Sequence, residues 1–119
     1  MTLTDRRILI VEDEFMLAQG IQWELEDAGA VVIGPKASVA SALELLDHET
    51  DIDAVVLDVN LRGEEVFPVA DALCARSIPF IFASGYADEV ITARYPGAIN
   101  CPKPFTSGRL LQSLEAALR

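Results

Sequence analysis

Ala54-Val55-Val56-Leu57-Asp58 is the stretch on which the fold turns. Four apolar residues follow one another without alternation, and the run stops on a carboxylate. A strand open to water on one face alternates apolar and polar residues, whereas a strand covered on both faces does not. Residues 54–57 therefore read as a strand of a parallel sheet held between two helix layers. Four more short runs of the same character lie outward from it, at residues 8–11, 31–33, 79–83 and 98–101, and the five starts are 23, 23, 25 and 19 residues apart. Between them apolar residues recur at helical spacing: Leu17, Ile21, Leu25 and Ala28; Val39, Leu43 and Leu46; Val66, Val69, Ala70 and Leu73; Leu110, Leu111, Leu114 and Leu118. The pattern is βα repeated five times.

Turn residues mark the boundaries. Gly29 ends the first helix, Gly34 and Pro35 end the second strand, Ser38 caps the second helix, Gly63 opens the loop before the third, and Pro96-Gly97 turns into the last strand. Only residues 88–95 remain for a fourth helix, about two turns at ~3.6 residues each, so it is expected to be short or mobile. Phe15 and Trp23 on the first helix are expected to pack inward. His48, between Asp47 and Glu49, is expected at the surface, and Cys74 and Cys101, without CxxC or His spacing, as reduced packing thiols.

Composition narrows the functions. The 119 residues carry a net charge of −10 and are 51% hydrophobic, which suits one folded domain and excludes disorder. No apolar run approaches the ~18 residues of a membrane span, and residues 8–11 are followed at once by Glu12, Asp13 and Glu14, which no secretory signal tolerates. A cytoplasmic address is expected, with no membrane association. A sequence pI near 4.3 leaves no basic stripe for phosphates, so direct nucleic-acid binding is not expected.

Ligands of open parallel sheets bind beyond the carboxyl ends of the strands. Glu12 and Asp13 follow the first strand, Asp58 ends the third, Ser84 follows the fourth, and Lys103-Pro104 follows the fifth. Each has a bland explanation alone: acids at a helix start, an Asx turn at Asp58, a turn at Ser84-Gly85, a solvated lysine. These explanations are independent, and all would have to hold at matching strand ends. Three carboxylates brought together repel one another and demand a cation, and Mg²⁺ is the small hard ion that carboxylates, a carbonyl and waters hold beside phosphoryl oxygens. The Lys103 ammonium and the Ser84 hydroxyl suit a phosphoryl group carried on a carboxylate.

Residues 8–14 (ILIVEDE), 55–61 (VVLDVNL), Ala83-Ser84-Gly85 and Lys103-Pro104-Phe105 resemble the receiver domain of two-component response regulators over the whole chain, 1–119. The resemblance implies a flavodoxin-like (βα)5 fold with strand order 2-1-3-4-5. It implies that Asp58 accepts a phosphoryl group from a histidine kinase or a histidine phosphotransfer protein. Asp13, Asp58 and the backbone carbonyl of Asn60 would hold Mg²⁺, with Glu12 acting through water. Ser84 and Lys103 would contact the phosphoryl group, and the Lys103–Pro104 bond would be cis. Residues 79–86 (PFIFASGY) are similar to the "FAT GUY" receivers, with Ser84 in place of Thr. Most receivers carry an aromatic switch residue three positions before the lysine, where this chain has Asn100, so ordinary aromatic switching is not expected.

The expected protein is a stand-alone receiver, a monomer or weak dimer. It takes part in its own phosphotransfer and dephosphorylation and signals by protein contacts. Ser84 and Tyr86 are its expected switch residues, acting on residues 85–96. The alternative is a binding module that kept the fold and signals without phosphate; a mass shift with a small phosphodonor separates the two. A nucleotide carrier would need a phosphate cradle after the first strand, where Glu12, Asp13 and Glu14 repel anions. An enzyme acting on external phosphoesters lacks a general acid beside Asp58 in the sequence.

Overall fold

Val11, Leu57 and Phe82 lie side by side across three parallel strands, and the rest of the sheet follows from that register. The computed structural model describes residues 3–61, 63–84, 91, 93–102 and 108–118. The elements run β1 (Arg7–Val11), α1 (Phe15–Asp27), β2 (Val31–Lys36), α2 (Val39–His48), β3 (Ala54–Leu57), β4 (Asn60–Leu61), β5 (Glu64–Glu65), α3 (Phe67–Ala75), β6 (Phe80–Ser84), β7 (Ile99–Pro102) and α4 (Arg109–Leu118). The main sheet is ordered β2-β1-β3-β6-β7, all parallel, which is 2-1-3-4-5 when its five strands are counted alone. The expected fold class is the observed one. An unanticipated antiparallel hairpin, β4-β5, turns at Gly63.

The uninterrupted strands divide their side chains between two cores, since successive residues point to opposite faces. Ile8, Ile10, Ala54, Val56, Ile81 and Ala83 meet Ile21 and Leu25 of α1 and Leu110 and Leu114 of α4. Leu9, Val11, Val55, Leu57 and Phe82 meet Ala42 and Leu46 of α2 and Val69, Ala70 and Leu73 of α3. Both faces are covered, which is why no polar residue interrupts residues 8–11 and 54–57 of the two central strands.

Three local expectations are corrected. Gly34 and Pro35 do not end the second strand; β2 continues to Lys36 through a bulge, because the step from Leu9 to Val11 on β1 is matched by the longer step from Ile33 to Lys36. An edge strand admits a proline at such an irregularity. Phe15 and Trp23 do not pack inward: they are 71% and 59% exposed. The buried arc of α1 is set by Ala18, Ile21 and Leu25, and at 3.6 residues per turn Met16 and Trp23 lie about 170° round from its centre. Cys74, one step past buried Leu73, is exposed, while Cys101 is buried as expected. His48 lies at the surface, and Ser38 caps α2 in a reciprocal box with Ser41.

Of the expected fourth helix, Ile91, Ala93 and Arg94 have helical backbone, and residues 88–90 and 92 lie outside the described residues. Its far end is anchored. The Tyr95 ring packs on Phe67, Phe80 and Phe82 with centroids 5.7, 6.1 and 5.6 Å away, and its hydroxyl donates to Oδ1 of Asp71 on α3 at 2.6 Å. Burial, then the Asp71 hydrogen bond, pushes the Tyr95 hydroxyl up to about 12. The fold thus favours the protonated phenol, and this stabilisation is complete below pH ~10 and lost as the pH rises towards 12.

Gly34 has φ +88°, and a Cβ there would sit 3.0 Å from the Lys36 amide nitrogen and 3.1 Å from the Ile10 carbonyl oxygen. Gly34→Ala is expected to cost about 1–3 kcal/mol in urea denaturation. A change below about 0.5 kcal/mol would contradict the rigidity of this bulge.

Candidate functional site

The bulge in β2 also sets the position of Glu12. It carries Lys36 to the point where its carbonyl accepts from the Glu12 amide at 2.9 Å, one residue beyond β1. Beyond β3, the Asp58 amide donates to the Val11 carbonyl at 2.9 Å. The two neighbouring strands therefore release Glu12, Asp13 and Asp58 at one edge of the sheet. Glu12 is further held by its own turn, its Oε2 accepting from the Glu14 amide at 3.1 Å just before α1.

One carboxylate oxygen from each of Glu12, Asp13 and Asp58 lies within 4.8 Å of the others. Glu12 and Asp58 are buried, at 3% and 9% exposure, and Asp13 is half-buried. At an effective dielectric of about 20, two like charges at that separation repel by about 3 kcal/mol. A divalent cation offsets this repulsion directly. Three oxygen donors of this hardness fit Mg²⁺ and leave room in an octahedral shell for waters or phosphoryl oxygens.

Asn60 enters β4 two residues after Asp58, its backbone paired with Glu65. Ser84 closes β6 and pairs with Pro102, the last residue of β7. The register thus brings Ser84 level with the residue that precedes Lys103. The side chains of Asn60 and Ser84, together with Gly85, Tyr86, Lys103 and Pro104 and the expected cis bond, lie outside the described residues. Asn100, on β7, pairs with Phe82 of β6.

Lys36 was not legible as a neighbour of the site. Its signal was the Gly-Pro pair inside an apolar run, which reads equally as a strand end or as a bulge. A cavity of about 470 Å³ lies elsewhere, lined by Phe80 and Ile99 at the opposite ends of β6 and β7 and by Cys74 and Tyr95. The reactive groups are at the acidic edge, so this hollow does not mark the site.

Among the described residues no helix is long and apolar enough to cross a membrane. The solution structure of SdrG from Sphingomonas melonis Fr1 is 41% identical to this chain, each chain covers 100% of the other, and the TM-score is 0.83. The BeF3-activated conformation of SdrG from Pseudomonas melonis Fr1 is 42% identical with a TM-score of 0.80, covering 95% of this chain and 96% of that one. The transcriptional regulatory protein PdtaR of Mycobacterium tuberculosis is 28% identical over 118 residues, 95% of this chain and 57% of PdtaR. The chain spans about half the length of the curated relatives it matches. Residues 8–115 match the response regulator receiver domain, a match that contains all three carboxylates and all of the parallel sheet except Arg7. With that span, that fold and that acidic edge, the chain belongs to the receiver domain family of two-component response regulators.

Proposed function

We propose that this receiver accepts a phosphoryl group on Asp58 from a histidine kinase or histidine phosphotransfer protein, with Mg²⁺, and passes the signal on through protein contacts. The observation that carries the reading is the convergence of Glu12, Asp13 and Asp58 within 4.8 Å at one sheet edge. Receiver domains generally bind Mg²⁺ and are phosphorylated by such partners, and SdrG adopts an activated conformation with BeF3. A binding module indifferent to phosphate has no use for three mutually repelling carboxylates, two of them buried.

In the proposed reaction a carboxylate oxygen of Asp58 attacks the phosphorus of the donor phosphohistidine. The phosphorus–nitrogen bond breaks, and the imidazole nitrogen leaves with the bonding pair and takes a proton from solvent. Asp13, Asp58 and the Asn60 carbonyl would hold Mg²⁺, with Glu12 acting through water; bound there, the ion neutralises charge on the phosphoryl oxygens. The Lys103 ammonium balances the remaining charge, and the Ser84 hydroxyl donates to a phosphoryl oxygen. From Ser84 the response is proposed to pass through Tyr86 into residues 85–96, with Tyr95 as the fixed end.

Mg²⁺ titration by calorimetry tests the ranking of the ligands. Asp13→Asn is expected to weaken binding by at least about tenfold, and Glu12→Gln by less, because a direct ligand contributes more than one acting through water. Equal losses would contradict the assignment.

A further inference from the structure

α3 begins without a capping group of its own: Val66 stands at the cap position, and its side chain accepts no hydrogen bond. The first turn is held from outside instead. On one side the Val66 amide donates to the Val59 carbonyl at 2.8 Å, which closes the base of the β4-β5 hairpin. On the other side the Tyr95 hydroxyl lies 2.6 Å from Oδ1 of Asp71 and 3.2 Å from the carbonyl oxygen of Phe67, two residues one turn apart on α3. Arg94 adds to the same hold: its guanidinium carbon lies 4.5 Å from the centre of the Phe67 ring, and its Nη2 donates to Oδ2 of Asp71 at 3.4 Å. Val59, Val66, Phe67 and Tyr95 are all buried in one core.

Val59 directly follows Asp58, and Asp58 is fixed on its other side by its amide, which donates to the Val11 carbonyl at 2.9 Å. Asp58 therefore stands between the sheet and the base of a hairpin that Tyr95 steadies through α3. A restraint has work to do at that point. Oxygens of Glu12, Asp13 and Asp58 lie within 4.8 Å of one another, and like charges so close push apart. A loose hairpin base would let the cluster widen, and an ion that demands short, near-octahedral oxygen contacts tolerates little widening.

We infer that Tyr95 is a positioning residue for Asp58: by holding the first turn of α3 through Asp71 and Phe67, its hydroxyl keeps the hairpin base closed and the Asp58 carboxylate in place against the repulsion of Glu12 and Asp13. The inference rests on the reading of these three carboxylates as the Mg²⁺ and phosphoryl site. Without the hydroxyl, the first turn of α3 loosens, the Val59–Val66 bond opens more often, and Asp58 draws away from its two neighbours. The cation then meets a wider cluster and is held less tightly.

The test compares the wild type with Tyr95→Phe, Asp71→Ala, Asp71→Asn and the Tyr95→Phe/Asp71→Ala double variant; Leu114→Ala, buried on the other face of the sheet, is the control for lost stability. Two quantities are measured: Mg²⁺ affinity by calorimetry and, without the ion, amide hydrogen exchange at Val66 relative to Val55 of β3, read by NMR. Tyr95→Phe alters no charge and keeps the ring in the core. It is expected to weaken Mg²⁺ binding about threefold to tenfold and to hasten exchange at Val66 more than at Val55. Asp71→Ala is expected to do the same, and the double variant no more than either alone, since both remove one contact. Asp71→Asn keeps an oxygen acceptor and is expected to recover most of the affinity. Leu114→Ala is expected to lower the urea midpoint and to leave Mg²⁺ affinity unchanged. The assignment is overturned, with the reading of the site intact, by an unchanged affinity in Tyr95→Phe, by Val66 exchange that merely tracks Val55, by an equal weakening in Leu114→Ala, or by a loss in Asp71→Asn as large as in Asp71→Ala. A wild type that binds no Mg²⁺ overturns the reading of the site and this inference with it.

Discussion

Asp58→Asn is expected to take up no phosphoryl group when incubated with acetyl phosphate and Mg²⁺, under conditions in which the wild type gains one by intact mass. The loss is chemical: an amide oxygen is a far weaker nucleophile than a carboxylate, and the charge that helps hold the cation disappears with it. Asn is nearly the same size, the Asp58 amide keeps its bond to the Val11 carbonyl, and one of three repelling charges within 4.8 Å is removed. Without Mg²⁺ the variant is therefore expected to resist urea at least as well as the wild type. Labelling that persists unchanged in Asp58→Asn would move the phosphoacceptor elsewhere, and a lower urea midpoint would deny that the three charges repel.

The largest stability effect is expected at Phe82. Its side chain is fully buried on the face shared with α2 and α3, against the rings of Phe80 and Tyr95 at 5.5 and 5.6 Å. Phe82→Ala removes one ring of this edge-on and tilted aromatic cluster and is expected to cost about 3–5 kcal/mol. Domains of this kind have only about 5–15 kcal/mol in total, so the variant stands near the edge of folding. Phe15→Ala, at a ring 71% exposed, is the matched control and is expected to stay within about 0.5 kcal/mol. Circular dichroism is the measurement of choice, because exposed Trp23 reports poorly on the core. Similar losses in both variants would overturn the burial assigned to α1.

The sheet was legible because its cause is local: short, mostly apolar runs recur at nearly even spacing, and a doubly covered sheet leaves its central strands little place for a polar residue. The acidic edge was legible for the same reason, since Glu12 and Asp58 each directly follow a run and Asp13 comes next after Glu12. What escaped was decided elsewhere in the chain. Phe15 and Trp23 read as core from their chemistry, but Ala18, Ile21 and Leu25 had already fixed which side of α1 turns inward. Whether Gly34-Pro35 ends a strand or bulges it depends on β1, with which it pairs. The Tyr95–Asp71 and Glu24–Gly108 contacts join residues 24 and 84 apart in sequence, and no local spacing announces either.

The prolines at the two borders of the sheet bear on how molecules of this chain meet. β2 and β7 are its outermost strands, and each contains a residue without an amide hydrogen, Pro35 and Pro102. β2 is also kinked out of regular pleat by its bulge. An incoming strand from another molecule finds an interrupted row of donors at either border, which is how natural sheets resist unlimited lateral growth. Self-association by sheet extension into fibres is thereby discouraged. The helix surfaces differ: Phe15, Met16 and Trp23 of α1 expose apolar area there without an exposed backbone to template aggregation.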